Sequence, residues 1–151
     1  MKKSFKKLLI FIIIVVLIIL AVIYFKKWYK GKVNNADEYT IGKDSVISIK
    51  SVVGVRNIEN KISTLEKGVN TTKYVYKVDS NITDDIQKYI DKLKENGFLT
   101  IKDADFSQTT STAKLGKSSV EEDYVIIVQI DYDTTGYTVS VSKGTGTIST
   151  Q

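Results

Sequence analysis

One stretch decides what this chain can fold into: residues 8–25, LLIFIIIVVLIILAVIYF, eighteen consecutive residues without a charge. Sixteen of them are Leu, Ile, Val or Phe, and only Ala21 and Tyr24 are not. As a helix rising about 1.5 Å per residue the run is roughly 27 Å long, close to the roughly 30 Å of a hydrocarbon core. At about 0.3 to 0.6 kcal/mol per apolar residue, it favours insertion by roughly 5 to 10 kcal/mol. A small domain rarely surrounds a helix that is apolar on every side, so residues 8–25 read as a transmembrane helix in a lipid bilayer.

The flanks fit that reading. Lys2, Lys3, Lys6 and Lys7 precede the run, and Lys26, Lys27, Lys30 and Lys32 follow it. Tyr24, Phe25, Trp28 and Tyr29 cluster at its far end. Lysines against anionic headgroups and amphipathic rings at headgroup level make these side chains the expected membrane interface. The run is longer than the apolar region of a cleaved signal, and no small-residue cleavage pattern follows it, so an uncleaved anchor is expected. It holds no ionisable residue that would serve an ion pathway and no small-xxx-small face for helix pairing. The lysine counts on its two sides are equal. Long domains cross membranes largely regardless of flanking charge. The expected arrangement is therefore a basic cytoplasmic tail over residues 1–7, with the rest of the chain outside.

Charge needs to be read in two parts. Residues 1–32 hold 8 of the 22 basic residues and no acid, leaving 14 basic against 17 acidic residues in 33–151, a net charge of −3. A mildly acidic domain is a poor match for a phosphate backbone, so nucleic acid is not an expected partner. The chain has neither cysteine nor histidine. That excludes a disulfide-linked partner and thiolate chemistry, and removes the commonest general base and metal ligand. No cofactor is expected. Arg56 is the sole arginine among 22 basic residues, and isoleucine is abundant, a usage that points to an AT-rich bacterial genome.

Residues 26–38 are polar and turn-rich, a juxtamembrane linker, and 39–151 are the right size for one core. Strand patterns dominate. Residues 46–55 are apolar with a break at Gly54. Residues 72–78 alternate, placing Tyr74, Tyr76 and Val78 on one face. A helix follows, capped by Thr83, started by Asp84 and Asp85, and closed by Asn96 and Gly97. Its apolar stripe is Ile86, Ile90 and Leu93, with Tyr89 beside them. Strands are then expected at 98–102, at 109–115 as a polar edge, at 124–132, and at 137–143 with Tyr137, Val139 and Val141 on one face. Between the last two lies the turn DTTG, with Gly136 free to take the left-handed position. The expected fold is α+β: a transmembrane helix, then a two-layer domain of antiparallel sheet with one packed helix, ββ-α-ββββ. The narrow helix stripe covers only part of such a sheet and leaves a surface for water or a partner.

Chemical motifs are weak. DYDTTG from Asp131 resembles the start of a calcium loop, but Ser142 stands where the closing glutamate belongs, and a hairpin turn explains the segment. Ser111-Thr-Ala-Lys114 matches a serine–lysine string, yet on a strand positions i and i+3 face opposite ways. Gly116-Lys117-Ser118 lacks the first glycine of a phosphate loop. The acidic groups Asp84/Asp85, Asp103/Asp105 and Glu121-Glu122-Asp123 fit a helix start, a strand end and a turn. The tyrosines carry more. Tyr74, Tyr76, Tyr132 and Tyr137 sit at alternate strand positions, as does Tyr124. They are either sheet-core residues with the hydroxyl at the rim or, on an uncovered face, a binding face for peptide or glycan.

The segments GKDSVISIKSVVGVR (42–56), NGFLTIKDADF (96–106) and DYVIIVQIDYDTTGYTVSVSKGTGTI (123–148) resemble small membrane-anchored proteins of low-GC Gram-positive bacteria. The resemblance implies localisation and fold, and brings no site residues. The expected function is an anchored extracytoplasmic module that binds a protein or envelope polymer without chemistry. The alternatives are an accessory subunit of a larger membrane complex and a small hydrolytic enzyme using carboxylates or Ser/Lys.

Overall fold

The computed structural model describes residues 2–34 and 36–148, with side chains described for 10–29 and 36–148. The chain divides into two compact units, residues 1–33 and 34–151.

The first unit is one helix, α1 (Lys2–Asn34). It runs on past the apolar stretch and takes residues 26–34 of the expected linker. Lysine is a good helix former, the segment holds no proline, and a single Gly31 costs only about 1 kcal/mol. Residues Ile10–Tyr29 are long and apolar enough to cross a membrane, and none of that window is buried.

The second unit is α+β. Its elements are β1 (Glu38–Ile41), β2 (Asp44–Ile47), α2 (Ile49–Val53), β3 (Ile58–Glu66), β4 (Val69–Lys77), α3 (Ile82–Glu95), β5 (Leu99–Lys102), β6 (Ser111–Ser118), β7 (Tyr124–Tyr132) and β8 (Gly136–Thr145). β1 and β2 form a hairpin. The other six strands make one antiparallel sheet in the order β3-β4-β8-β7-β6-β5. The order along the chain is therefore ββ-α-ββ-α-ββββ, with two strands and a short helix more than the expected pattern.

Four local features differ from expectation. The expected strand over 46–55 breaks at Ser48, whose hydroxyl accepts a hydrogen bond from the N–H of Ser51 at 3.3 Å and caps α2. The capped helix then ends at Gly54, at φ 85°. The segment expected as a polar edge strand, 109–115, becomes β6, an interior strand between β7 and β5. Helix α3 starts after Asn81, which is left-handed (φ 60°, ψ 27°) and makes no side-chain cap, so Thr83 falls inside the first turn. Gly136 is required for closeness rather than for a left-handed turn: a Cβ there would run into the carbonyl oxygen of Tyr76 on the neighbouring strand.

Alternation along the strands assigns the two faces. Tyr76, Tyr137 and Tyr132 form one cross-strand row, Tyr74, Val139 and Ile130 the next, then Thr72, Val141 and Val128. All nine are buried. Ile86, Tyr89 and Leu93 of α3 reach 0 % exposure, and Tyr39 and Ile41 of β1 are buried too. Each such aliphatic side chain stabilises the fold by about 1.5 to 3 kcal/mol. The hairpin, α2 and α3 therefore cover one face of the sheet, and the other face is left bare.

Candidate functional site

The expected membrane-interface residues all lie in α1. Tyr24, Phe25, Lys26, Lys27, Trp28 and Tyr29 are exposed on it, with the Tyr24 and Phe25 rings edge to face at 6.4 Å. Lys2, Lys3, Lys6 and Lys7 belong to the helix, but their side chains lie outside the described residues.

The expected tyrosine binding face is corrected by the structure. Tyr74, Tyr76, Tyr132 and Tyr137 point under the helices, with exposures of 3 to 6 %. They alternate in phase with Ile130, Val139 and Val141, so a core on that face takes them all. Their rings and hydroxyls are occupied. Tyr39 stacks on Tyr74 at 4.1 Å and shares a hydrogen bond with Tyr76. The Tyr39 oxygen also accepts from the N–H of Ile49 at 3.0 Å. Tyr89 donates to the carbonyl of Ile47 at 2.9 Å, and Tyr137 to Asp85 at 3.1 Å. Tyr132 donates to the carbonyl of Asp105 at 2.7 Å, with Phe106 stacked at 5.9 Å. Burial pushes the hydroxyls of Tyr39, Tyr76, Tyr89 and Tyr137 well above the ordinary phenol range.

Two charged clusters pin the covering layer to this face. Arg56 grips Asp85 with two hydrogen bonds, 2.6 Å from Nε and 2.7 Å from Nη2. Asp85 is almost wholly buried at the start of α3, where the helix dipole also favours its charge. Lys143, at the end of β8, pairs with Asp44 of the hairpin at 2.6 Å and with Glu121. Asp44 accepts two further bonds, from Ser119 at 2.6 Å and from the N–H of Val120 at 2.9 Å. Burial raises the Asp44 pKa, but Lys143, Ser119 and Val120 outweigh it and hold the carboxyl below its ordinary range. Sequence reasoning passed over both clusters, though a lone arginine among many lysines is a signal for a site that needs a planar two-pronged donor.

The sequence motifs settle into structural roles. Asp133 accepts from the N–H and hydroxyl of Thr135, both at 2.6 Å, and from the N–H of Gly136 at 3.2 Å, a side-chain-closed turn. Ser111 and Lys114 lie on opposite faces of β6, and Gly116, Lys117 and Ser118 are strand residues. Asp84 pairs with Lys88 and Asp103 with Lys94. Among the described residues no group of three or more acidic side chains is placed to hold a metal ion.

The bare face is built differently. Strand β8 turns Gly136, Thr138, Ser140, Ser142 and Gly144 outward, a floor of small residues. Register sets Lys73 of β4 and Gln129 of β7 on either side of Ser140, Lys114 next to Gln129, and Lys102 next to Lys114. At the β7–β8 turn the floor opens into a hollow of about 380 Å³ lined by Glu59, Lys77, Asp131, Asp133 and Thr138. Asp131 is steadied by Thr112 at 2.7 Å and by the amide of Gln129 at 3.0 and 3.1 Å. At the opposite end Gly116 lets Ile101, Ile127 and Ile148 close over it. Every aromatic ring on β4, β7 and β8 faces the other way. Comparison with protein-family models, with curated proteins and with solved structures finds no match to this chain.

Proposed function

We propose that this chain is a single-pass membrane protein whose α+β domain is an extracytoplasmic, non-catalytic binding module presenting its bare sheet face to a protein or envelope polymer. The observation that carries the reading is a pairing of opposites. Helix α1 is apolar with none of its Ile10–Tyr29 window buried, while the domain closes its own core on one sheet face only. A helix of that kind favours the hydrocarbon of a bilayer, and a polar sheet face with a hollow is free for recognition.

A second reading, an accessory subunit of a larger membrane complex, has its own support. The β3–β4 arm leaves Ile62, Leu65 and Val69 exposed, and β3 is an edge strand with unpaired backbone groups. The two readings separate on purification in mild detergent, where a subunit brings its complex with it and a freestanding module does not.

The reading is tested by adding protease to intact protoplasts and following the C-terminal domain by immunoblot. Loss of the domain, leaving a short protected fragment, is the expected result. Protection until lysis puts the domain in the cytoplasm and ends the envelope-ligand idea.

A further inference from the structure

We propose that the outer edge of β3 is a pairing surface for a second copy of this chain, the two β3 strands running antiparallel about a two-fold axis at Ser63 so that two sheets become one. This goes beyond the reading of the domain as a binding module and does not depend on it.

The two edges of the six-stranded sheet are built unlike each other. β5 closes one edge with four residues and a register shift between Thr100 and Lys102. Short and irregular edge strands keep other chains from pairing with a sheet. β3 closes the other edge with nine residues, and among the described residues no strand pairs with its outer side. Its irregularity lies at one end, between Ile58 and Asn60, and from Asn60 to Glu66 the ladder with β4 is unbroken. That stretch is exposed throughout. Ile62 keeps 43 % exposure beside Lys73 on the bare face, and Leu65 keeps 75 % on the other. A regular strand with apolar side chains uncovered on both faces, and with a row of unpaired N–H and C=O groups, is a template for one more strand.

The residues of the edge select which strand that is. A two-fold axis normal to the sheet keeps each face continuous, because residues directly opposed across an antiparallel ladder share a side. The regular stretch 60–66 has its centre at Ser63. An axis there sets Ser63 opposite its own copy, Ile62 opposite Thr64 and Lys61 opposite Leu65. It also sets Glu59 opposite Lys67 at both ends of the stretch, and both side chains are exposed. An axis at Lys61 places that lysine against itself, and one at Thr64 places Lys61 against Lys67. An axis at Ile62 faces Glu59 with Leu65. Opposite charges across a ladder favour pairing and like charges oppose it. The pattern therefore commits the edge to itself, in one register, ahead of a strand from a different protein. Both bare faces then lie on the same side of the joined sheet.

The chain has no cysteine of its own, so single substitutions read the register directly. Directly opposed residues have Cα atoms about 4.5 or 5.5 Å apart, within disulfide reach. Residues two positions off that pairing lie about 8 Å apart, outside it. The experiment is mild oxidation of membranes holding the full chain as Ser63→Cys, Ile62→Cys, Thr64→Cys or, on β5, Thr100→Cys, followed by non-reducing electrophoresis. Ser63→Cys is expected to give a disulfide-linked dimer in about fivefold or greater excess over the other three. Within the Ser63→Cys chain, Glu59→Lys should lower that yield by about fivefold, because the new lysine meets Lys67 at both ends, and adding Lys67→Glu should restore it. No dimer from Ser63→Cys, equal yields at all four positions, a maximum at Ile62→Cys, or a product containing a different protein overturns the pairing. So does a yield that the charge reversal leaves unchanged.

Discussion

The two faces of the six-stranded sheet use hydroxyl groups in opposite ways. On the covered face the phenols of Tyr39, Tyr76, Tyr89, Tyr132 and Tyr137 each have a partner, and three of them, Tyr39, Tyr76 and Tyr137, tie the sheet to the layer above. On the bare face β8 carries Thr138, Ser140 and Ser142; Ser142 shares a hydrogen bond with Thr71 at 2.9 Å, and the hydroxyl of Ser140 bonds no described residue. Large rings with satisfied hydroxyls build a rigid core, whereas small residues with spare donors leave the backbone approachable. One face holds the fold together, and the other is the surface proposed for recognition. Breaking each face in turn separates the two roles.

The largest effect is expected at Arg56. Replacing it with methionine leaves the Asp85 carboxylate buried without its two charged donors, and removing one partner of a buried pair costs about 3 to 5 kcal/mol. Arg56→Lys keeps the charge but loses the fork, and should fall between. Urea unfolding of the full chain in micelles, followed by circular dichroism, measures both. A Met variant as stable as the parent would show that α3 does not depend on this pair.

A smaller effect with a distinctive pH signature is expected at Lys143. In the parent the folded-state pKa of Asp44 is depressed. The stability it contributes is therefore present above the ordinary carboxylate value, about pH 4, and lost as pH falls through the folded pKa. In Lys143→Met the burial of Asp44 is opposed only by Ser119 and Val120, so its pKa rises above the unfolded value. That variant should be less stable by about 2 to 3 kcal/mol at pH 7 and regain part of the loss as pH drops towards 5. Thermal unfolding midpoints between pH 4 and 8 check it. Parallel pH profiles for parent and variant would rule out Asp44 as the source.

How far these faces were readable from sequence follows from the length of each pattern. Helix α1, helix α3 and strands β7 and β8 are long and keep one period throughout, so composition alone outlines them. β3 was missed because after Ile58 all its residues are exposed, and a strand exposed on both sides has no apolar alternation to read. β1, β2 and α2 are four or five residues long, too short for periodicity, and Ser48 redirects a segment whose β-branched residues otherwise favour a strand. The tyrosines were visible at their alternate positions, but the face they occupy depends on which side the helices cover. The bare-face row was not legible at all: Lys73 meets Gln129 and Ser140 only because β4 pairs with the β7–β8 hairpin, far along the chain.

The finest comparison removes one hydroxyl from each face. Tyr137→Phe deletes the bond to Asp85, a buried hydrogen bond to a charged acceptor, and should cost about 1.5 to 3 kcal/mol. Ser140→Ala deletes a hydroxyl that bonds no described residue and, since no buried side-chain oxygen there is left unsatisfied, is open to water, so the folded state gives up little. Its stability should stay within about 0.5 kcal/mol of the parent or rise slightly. Both delete one hydroxyl oxygen, three residues apart on the same strand and on its two opposite faces. Equilibrium unfolding curves of the two variants decide it. A clear loss of stability in Ser140→Ala would mean that the hydroxyl has a structural partner and that the bare face shares the work of the core. An unchanged or stabilised protein would mean that the core face alone carries the stability of the sheet.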